Sequence, residues 1–318
     1  MLMMDALKLA SAVVNRTFQV LGISSTNITH SANPYTAGFY QTHADSIITD
    51  LMIRFSSPNN SLPASELDSS PWHRIEKDLY LHSAPQSAWL HIAHAKEDEL
   101  TSGDLLVVDI KVGETAPDSS PRSLWERRLG GIWVLRSKYT GDPQQLQQAV
   151  TAVDILFGED AVDPRPQWNL MQRHLQLLSQ SEEPAARLTV LHGRVSPSPD
   201  APQIVLRARE DGQFKILQIS DTHMVTGPGV CKDAIDADGI ALPESVADPL
   251  TVEFLGEVLD AEKPDLVVFT GDQVHHDVLD TQSALFKVVA PVIERAIPWA
   301  AVFGNHDSEG TYALTRKL

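Results

Sequence analysis

Three short stretches in the last third of the chain decide its fold: FKILQISDTH at residues 214–223, DLVVFTGD at 265–272 and IPWAAVFGNHD at 297–307. Each is a mainly apolar run that leads directly into Asp, His, Asn or Gly. Short apolar runs bounded by turn residues are typical of buried strands. We therefore predict three strands, each followed by a polar turn.

The segments between these strands have helical periodicity. Apolar residues recur at three- and four-residue spacing from Pro249 to Lys263, and Pro264 ends the pattern. A second stripe runs from Leu279 to Ala296 and contains Pro291, where we expect a kink. Strands that alternate with helices form parallel sheets, and ligands bind at the carboxyl ends of such strands. The predicted fold class of this unit is α/β.

The three polar turns should meet at one edge of the sheet. Asp221, His223 and Asp272 carry carboxylate and imidazole donors for divalent metals, and Asn305 adds a neutral oxygen. Because residues two apart in a strand point to the same side, Asp221 and His223 should share a face. The sequence therefore predicts a metal site built from separate strand ends.

The motif order D-x-H, G-D, G-N-H-D resembles the calcineurin-like metallophosphoesterases, whose later motifs are a lone His and a G-H-x-H. The match covers three of these five motifs, over roughly residues 214–310. Segments at 72–89, 130–137, 157–168 and 304–310 look like the fungal dosage-dependent cell-cycle-regulator phosphatases of that superfamily. The resemblance implies the amino half of a four-layer α/β sandwich preceded by a β-rich domain.

The resemblance also implies a role for each motif residue. Asp221 and His223 would bind a first metal, Asp272 would bridge two metals, and Asn305 would bind the second. The metals would be Mn, Fe or Zn ions that clamp a phosphate group and activate water for in-line attack. The implied activity is that of a dinuclear metallophosphoesterase.

The third motif would supply the catalytic pair. His306 would act as the general acid that protonates the leaving alkoxide. Asp307 would orient or polarise the His306 imidazole, as carboxylates do for functional histidines.

No histidine follows His306 in the sequence, so the family's later histidines have no counterpart here. The residues present would give about three protein ligands to the first metal and two to the second, against the fuller set that such two-metal sites use. We expect a C-terminally truncated fragment that hydrolyses p-nitrophenyl phosphate poorly or not at all.

Two further histidines, His275 and His276, closely follow the second motif and have two interpretations. They could be surrogate metal ligands, or they could lie in a solvated loop. We favour the loop, because the chain should diverge from the sheet after the turn at Asp272.

Charge restricts the partners. The 318 residues include 42 acidic and 25 basic side chains, a net charge of −17, and residues 214–318 hold 17 acidic and 7 basic ones. Such a surface repels phosphate backbones, so we expect no nucleic-acid partner. The favoured substrate is a phosphoserine or phosphothreonine protein. The alternatives are a phosphodiesterase of the same superfamily and a non-catalytic binding or regulatory fragment.

The rest of the chain indicates two further regions. Residues 1–71 are rich in Ser, Thr, Asn and Pro and should be irregular. Residues 72–195 contain short β-type runs and predict a β-rich accessory domain. The Pro- and Ser-rich stretch 196–202 should link it to the metallophosphoesterase domain at 203–318.

The expected localisation is inferred from targeting features that the sequence lacks. The sequence has no run of eighteen apolar residues and no typical signal peptide, and Cys231 is its single cysteine. We expect no membrane-spanning segment and a cytoplasmic protein. The sequons at Asn15, Asn27 and Asn59 leave a secretory route open.

Overall fold

The computed structural model describes residues 46–55, 72–81, 86–117, 124–177, 184–193, 206–231, 235, 238–241, 246–307 and 309. They form two compact units, and the boundary between the units falls between Ser198 and Pro199. This boundary lies within the predicted linker. The three sequons lie outside the described residues. No helix in the described ranges is both long and apolar enough to cross a membrane.

The first unit is built mainly of strands. Its strands are β1 (Ser46–Phe55), β2 (Trp72–Arg74), β3 (Ala88–Lys96), β4 (Leu105–Val112), β5 (Trp125–Arg127), β6 (Ile132–Lys138), β7 (Val150–Phe157), β8 (Trp168–His174) and β9 (Ala186–His192). The helix α1 (Pro143–Gln148) joins β6 to β7, with Asp142 capping its amino end.

These strands repeat one arrangement three times. The strand orders are β1-β3-β2, β4-β6-β5 and β7-β9-β8, and all pairs are antiparallel. In each sheet the first strand pairs with the third, and the second strand forms an edge. Each second strand begins with a tryptophan, at Trp72, Trp125 and Trp168. The β-rich unit is therefore an internal threefold repeat.

The first strand of each sheet lies at the centre of the repeat. β1, β4 and β7 contact one another. Leu51, Ile110 and Ile155, one on each strand, have 0% of their surface exposed. Burial of such side chains contributes roughly 1.5–3 kcal/mol each. The three sheets thus share one apolar core.

This architecture corrects the expectation that residues 1–71 are irregular. Residues 46–55 form β1, whose register with β3 runs from Ser46 opposite Lys96 to Phe55 opposite Ala88. The β-rich unit therefore begins before residue 72, because β3 needs β1 as its partner. The other residues of 1–71 lie outside the described ranges.

The second unit alternates strands and helices. Its elements are β10 (Ile216–Ile219), α2 (Asp248–Glu262), β11 (Leu266–Phe269), α3 (Thr281–Glu294) and β12 (Trp299–Ala301). The sheet is parallel, in the order β10-β11-β12. Pro291 lies inside α3. The predicted α/β class and its alternation of elements are confirmed.

Helices α2 and α3 pack against the sheet in one core. Leu259, Val267, Phe269, Val288 and Val292 are each at most 1% exposed and belong to this cluster. This packing fixes the three strands side by side, so their carboxyl ends meet at one edge. The predicted metal ligands follow those ends.

Candidate metal centre

The first two polar loops stay paired beyond the strands that lead into them. The N–H of Asp221 donates to the carbonyl of Gly271 at 3.1 Å, and that of His223 donates to the carbonyl of Asp272 at 3.1 Å. The N–H of Met224 donates to Gln273 in the same way at 3.0 Å. Backbone hydrogen bonds therefore hold the first and second motifs side by side.

Three of the predicted ligands have left-handed backbone conformations. The φ angles are +55° at Asp221, +45° at His223 and +53° at Asp272. A non-glycine residue in such a region costs of order 1–3 kcal/mol, and such residues concentrate at functional sites. β10 ends at Ile219, so Asp221 and His223 lie beyond the strand, and strand alternation is not the reason that their side chains are near each other.

The second and third loops approach so closely that only glycine fits between them. A Cβ on Gly304 would lie 2.1 Å from the Asp272 Oδ1 atom. A Cβ on Gly271, whose φ is +114°, would lie 2.8 Å from the Gly304 Cα atom. The two motif glycines therefore allow the backbone to approach the Asp272 carboxylate.

Asp307 joins the third loop to the second. It is 1% exposed, and its Oδ2 accepts the N–H groups of Asp272 at 2.9 Å and Gly304 at 2.8 Å. Its Oδ1 accepts the N–H of Val274 at 3.0 Å. Both carboxylate oxygens of Asp307 thus accept backbone N–H groups, and its influence on the His306 imidazole is through its negative charge.

The imidazole of His306 has a different partner. Its Nδ1 lies 2.8 Å from Oε2 of Glu309. This hydrogen bond, with the negative charges of Asp272, Glu309 and Asp307, raises the pKa of His306 above its ordinary value. Glu309 was missed from the sequence, although its position three residues after His306 is the spacing at which neighbouring side chains in a turn meet.

The structure brings three of the four predicted metal ligands together. Donor atoms of Asp221, His223 and Asp272 all lie within 4.8 Å of one another. Asp221 is exposed, and its Oδ1 lies 3.9 Å from Nε2 of His223. The buried Nδ1 of His223 has no hydrogen-bond partner among the described residues. Two carboxylates and one imidazole form a ligand set that fits a divalent cation such as Mn, Fe or Zn.

Asn305 lies beside this cluster on the third loop. It is exposed, between Gly304, which is bonded to Asp307, and His306, whose N–H donates to Oδ1 of Asp272 at 3.0 Å. The backbone on both sides of Asn305 is therefore tied to the second loop. The Asn305 backbone is therefore held near the Asp272 carboxylate.

His275 and His276 lie in a loop, as favoured, and His276 is exposed, but the chain does not diverge directly after Asp272. The N–H of His275 donates to the carbonyl of Met224 at 3.0 Å, and Val274 forms a parallel bridge with Met224. Pairing of the two loops therefore continues past Asp272. It places the His275 ring 5.9 Å from the His223 ring.

Comparison with known proteins agrees with this geometry. Residues 214–317 match the family model described as calcineurin-like phosphoesterase. The chain is 40% identical over 174 residues to phosphatase DCR2 of Saccharomyces cerevisiae, a match that covers 54% of this chain and 29% of the relative.

Two more relatives have different names. Probable inactive purple acid phosphatase 28 of Arabidopsis thaliana is 42% identical over 113 residues, which are 35% of this chain and 28% of the relative. A probable cyclic nucleotide phosphodiesterase of Rhodococcus erythropolis is 33% identical over 100 residues, 30% of this chain and 29% of the relative. The chain thus spans less than a third of the length of each of these three relatives. With three motifs on three consecutive strand ends and a matching family model, residues 214–317 belong to the calcineurin-like phosphoesterase family.

Proposed function

We propose that the α/β unit belongs to a metal-dependent phosphoesterase that hydrolyses phosphomonoesters. The observation that carries the proposal is the cluster of Asp221, His223 and Asp272, held by backbone hydrogen bonds at the strand ends with His306 beside it. Bound divalent ions would neutralise a phosphate group and supply an activated water.

The protein's own residues have distinct tasks in this proposal. Asp221 and His223 would hold one ion, Asn305 would hold a second, and Asp272 would contribute a carboxylate oxygen to each. Oδ1 of Asp272 also accepts the backbone N–H of His306, and this hydrogen bond holds the third loop against the site.

His306 protonates the leaving alkoxide. The hydrogen bond that the His306 imidazole donates to Glu309, together with the surrounding carboxylates, raises the pKa of His306, so a larger fraction of the imidazole is protonated near neutral pH. Asp307 acts at a distance from the reaction: it positions the backbone of the second and third loops.

The substrate we propose is a phosphoserine or phosphothreonine protein. Its support is the named phosphatase among the relatives and the excess of acidic side chains in residues 214–318, which disfavours a nucleic-acid groove. A phosphodiesterase is the second enzymatic candidate, because one relative bears that name. A non-catalytic regulatory role is the third, because another relative bears the name of an inactive phosphatase.

Binding of inorganic phosphate to the purified chain, measured by calorimetry with and without Mn²⁺, tests the function. We expect binding that requires Mn²⁺ and is lost in Asp272→Asn. The matched control is Glu257→Gln, which removes an exposed carboxylate on α2 and should bind as the wild type does. Phosphate binding that is equal in wild type and Asp272→Asn would overturn the proposal.

Hydrolysis of p-nitrophenyl phosphate tests the further proposal that this chain is a fragment. We expect slow, Mn²⁺-dependent release or none, because the chain offers a reduced ligand set. Rapid turnover that Asp272→Asn abolishes would support the phosphoesterase function and contradict the fragment proposal.

A further inference from the structure

The loop that follows Asp272 carries a second group of metal-binding side chains, which the proposed function does not use. Donor atoms of His275, His276 and Asp277 all lie within 4.8 Å of one another. The ring centroids of His275 and His276 are 4.1 Å apart. His276 and Asp277 are exposed, so an ion could reach them from solvent.

Both ends of this loop are anchored in the core. Val274 is 0% exposed and Val278 is 3% exposed. The N–H of Val274 is bonded to Asp307, and that of His275 to the carbonyl of Met224. The two imidazoles are therefore carried on a short, fixed segment, and little backbone entropy remains to be lost when a ligand binds.

A carboxylate selects the tautomer of His275. Nδ1 of His275 lies 2.6 Å from Oδ1 of Asp277. Because an ionised carboxylate only accepts, Nδ1 carries the proton of this hydrogen bond, and Nε2 is the nitrogen left to bind a metal. A carboxylate or carbonyl on the second ring nitrogen is the usual companion of a metal-binding histidine.

We propose that His275 and His276 form a second cation site of their own, with Asp277 as the residue that positions the His275 ring. Adjacent imidazole ligands favour Zn²⁺ and similar borderline ions over Mg²⁺ or Ca²⁺. The site is a neighbour of the proposed phosphoesterase centre: the His275 ring is 5.9 Å from that of His223, and the His276 ring is 5.5 Å from that of His306. This proposal depends on the proposed function in one respect only, the assumption that metal occupies the neighbouring cluster of Asp221, His223 and Asp272.

Zinc stoichiometry tests the inference. The full chain would be equilibrated with Zn²⁺, separated from free metal and analysed for bound zinc by mass spectrometry. We expect the double variant His275→Ala/His276→Ala to hold one equivalent less than the wild type. The control is His174→Ala/His192→Ala, two histidines of the β-rich unit, which should keep the wild-type value.

The same loss should appear in an Asp272→Asn background, which separates this site from the phosphoesterase centre. Asp277→Asn should retain both imidazoles but weaken zinc binding at this site by about 10–100-fold, because the positioning hydrogen bond is altered. Equal stoichiometry in wild type and His275→Ala/His276→Ala would overturn the inference, whatever Asp272→Asn does. Retention of helix and strand content by circular dichroism checks that each variant is folded.

Discussion

In the β-rich unit the carboxylates of Asp50 and Asp154 are held by arginines, whereas in the α/β unit Asp221 and Asp272 have no Lys or Arg partner among the described residues. Asp50 lies 2.9 Å from Arg128. Asp50 and Asp154 also each accept the backbone N–H of the next residue at 2.8 Å. These carboxylates are compensated within the protein.

Asp221 and Asp272 differ in this respect both from these two residues and from Asp248 and Asp265 of their own unit, which pair with Lys287 and Arg209. Asp221 and Asp272 have strained backbones, lie near each other and are brought together without a basic side chain. Two like charges in one site are unfavourable unless a cation joins them. Carboxylates paired with arginine thus stabilise the fold, whereas Asp221 and Asp272, which lack a basic partner among the described residues, form the candidate metal centre.

The largest effect on stability is expected from Arg165→Met in the β-rich unit. Arg165 has a side chain 3% exposed and binds Asp154 at 2.9 Å and Asp163 at 2.7 Å. Its removal leaves buried carboxylates without their guanidinium, at a cost of about 3–5 kcal/mol. Urea denaturation measures the loss. A free energy of unfolding within about 0.5 kcal/mol of wild type, the range of ordinary surface substitutions, would show that the ion pairs of Arg165 do not stabilise the β-rich unit.

A smaller, pH-dependent effect is expected from Glu126→Gln. The hydrogen bond from Arg136, followed by that from Arg128, lowers the pKa of Glu126, although partial burial opposes the shift. Stability from this carboxylate is therefore present above its ordinary pKa and lost as pH falls through the folded value.

Because the Glu126 side chain is 35% exposed, the contribution should be under about 1 kcal/mol. Unfolding free energies of wild type and Glu126→Gln should differ near pH 7 and converge at low pH. A difference that persists or grows under acid conditions would show that the pair acts through packing instead of charge.

The smallest effect on stability is expected from Asp221→Asn. The variant removes one of two neighbouring carboxylates that have no basic partner, so the metal-free chain should change by no more than about 0.5 kcal/mol. Mn²⁺ affinity should nevertheless fall sharply, because a charged ligand is lost. Thermal denaturation without metal measures the change in stability, and calorimetry with Mn²⁺ measures the change in metal affinity. Marked destabilisation of the metal-free chain would give Asp221 the same structural role as Asp154.

The sequence predicted the α/β unit well, since local patterns determine it. The apolar runs before Asp221, Asp272 and Gly304 correspond to β10, β11 and β12, and the two periodic segments correspond to α2 and α3. The ligand cluster followed from the rule that parallel strands end at one edge. The periodicity and the turn residues that indicate these strands and helices are visible within short stretches of sequence.

Long-range contacts account for what was missed. Asp307 bonds to the backbone of Asp272 and Val274, which precede it by more than thirty residues, and no periodicity indicates such pairing. β1 was missed because Asp50 and its polar neighbours weaken the strand pattern, and because β3, its partner, lies some forty residues later in the chain. The signals that could have revealed the repeat are Asp followed by Leu or Ile, at Asp50, Asp109 and Asp154, and the three tryptophans of the edge strands.

Anomalous diffraction from crystals grown with Mn²⁺ shows directly whether Asp221, His223 and Asp272 hold a metal ion. We expect a manganese peak in contact with the side chains of these three residues. The absence of such a peak in the wild-type protein at saturating Mn²⁺, or a peak that contacts none of the three, would contradict this expectation.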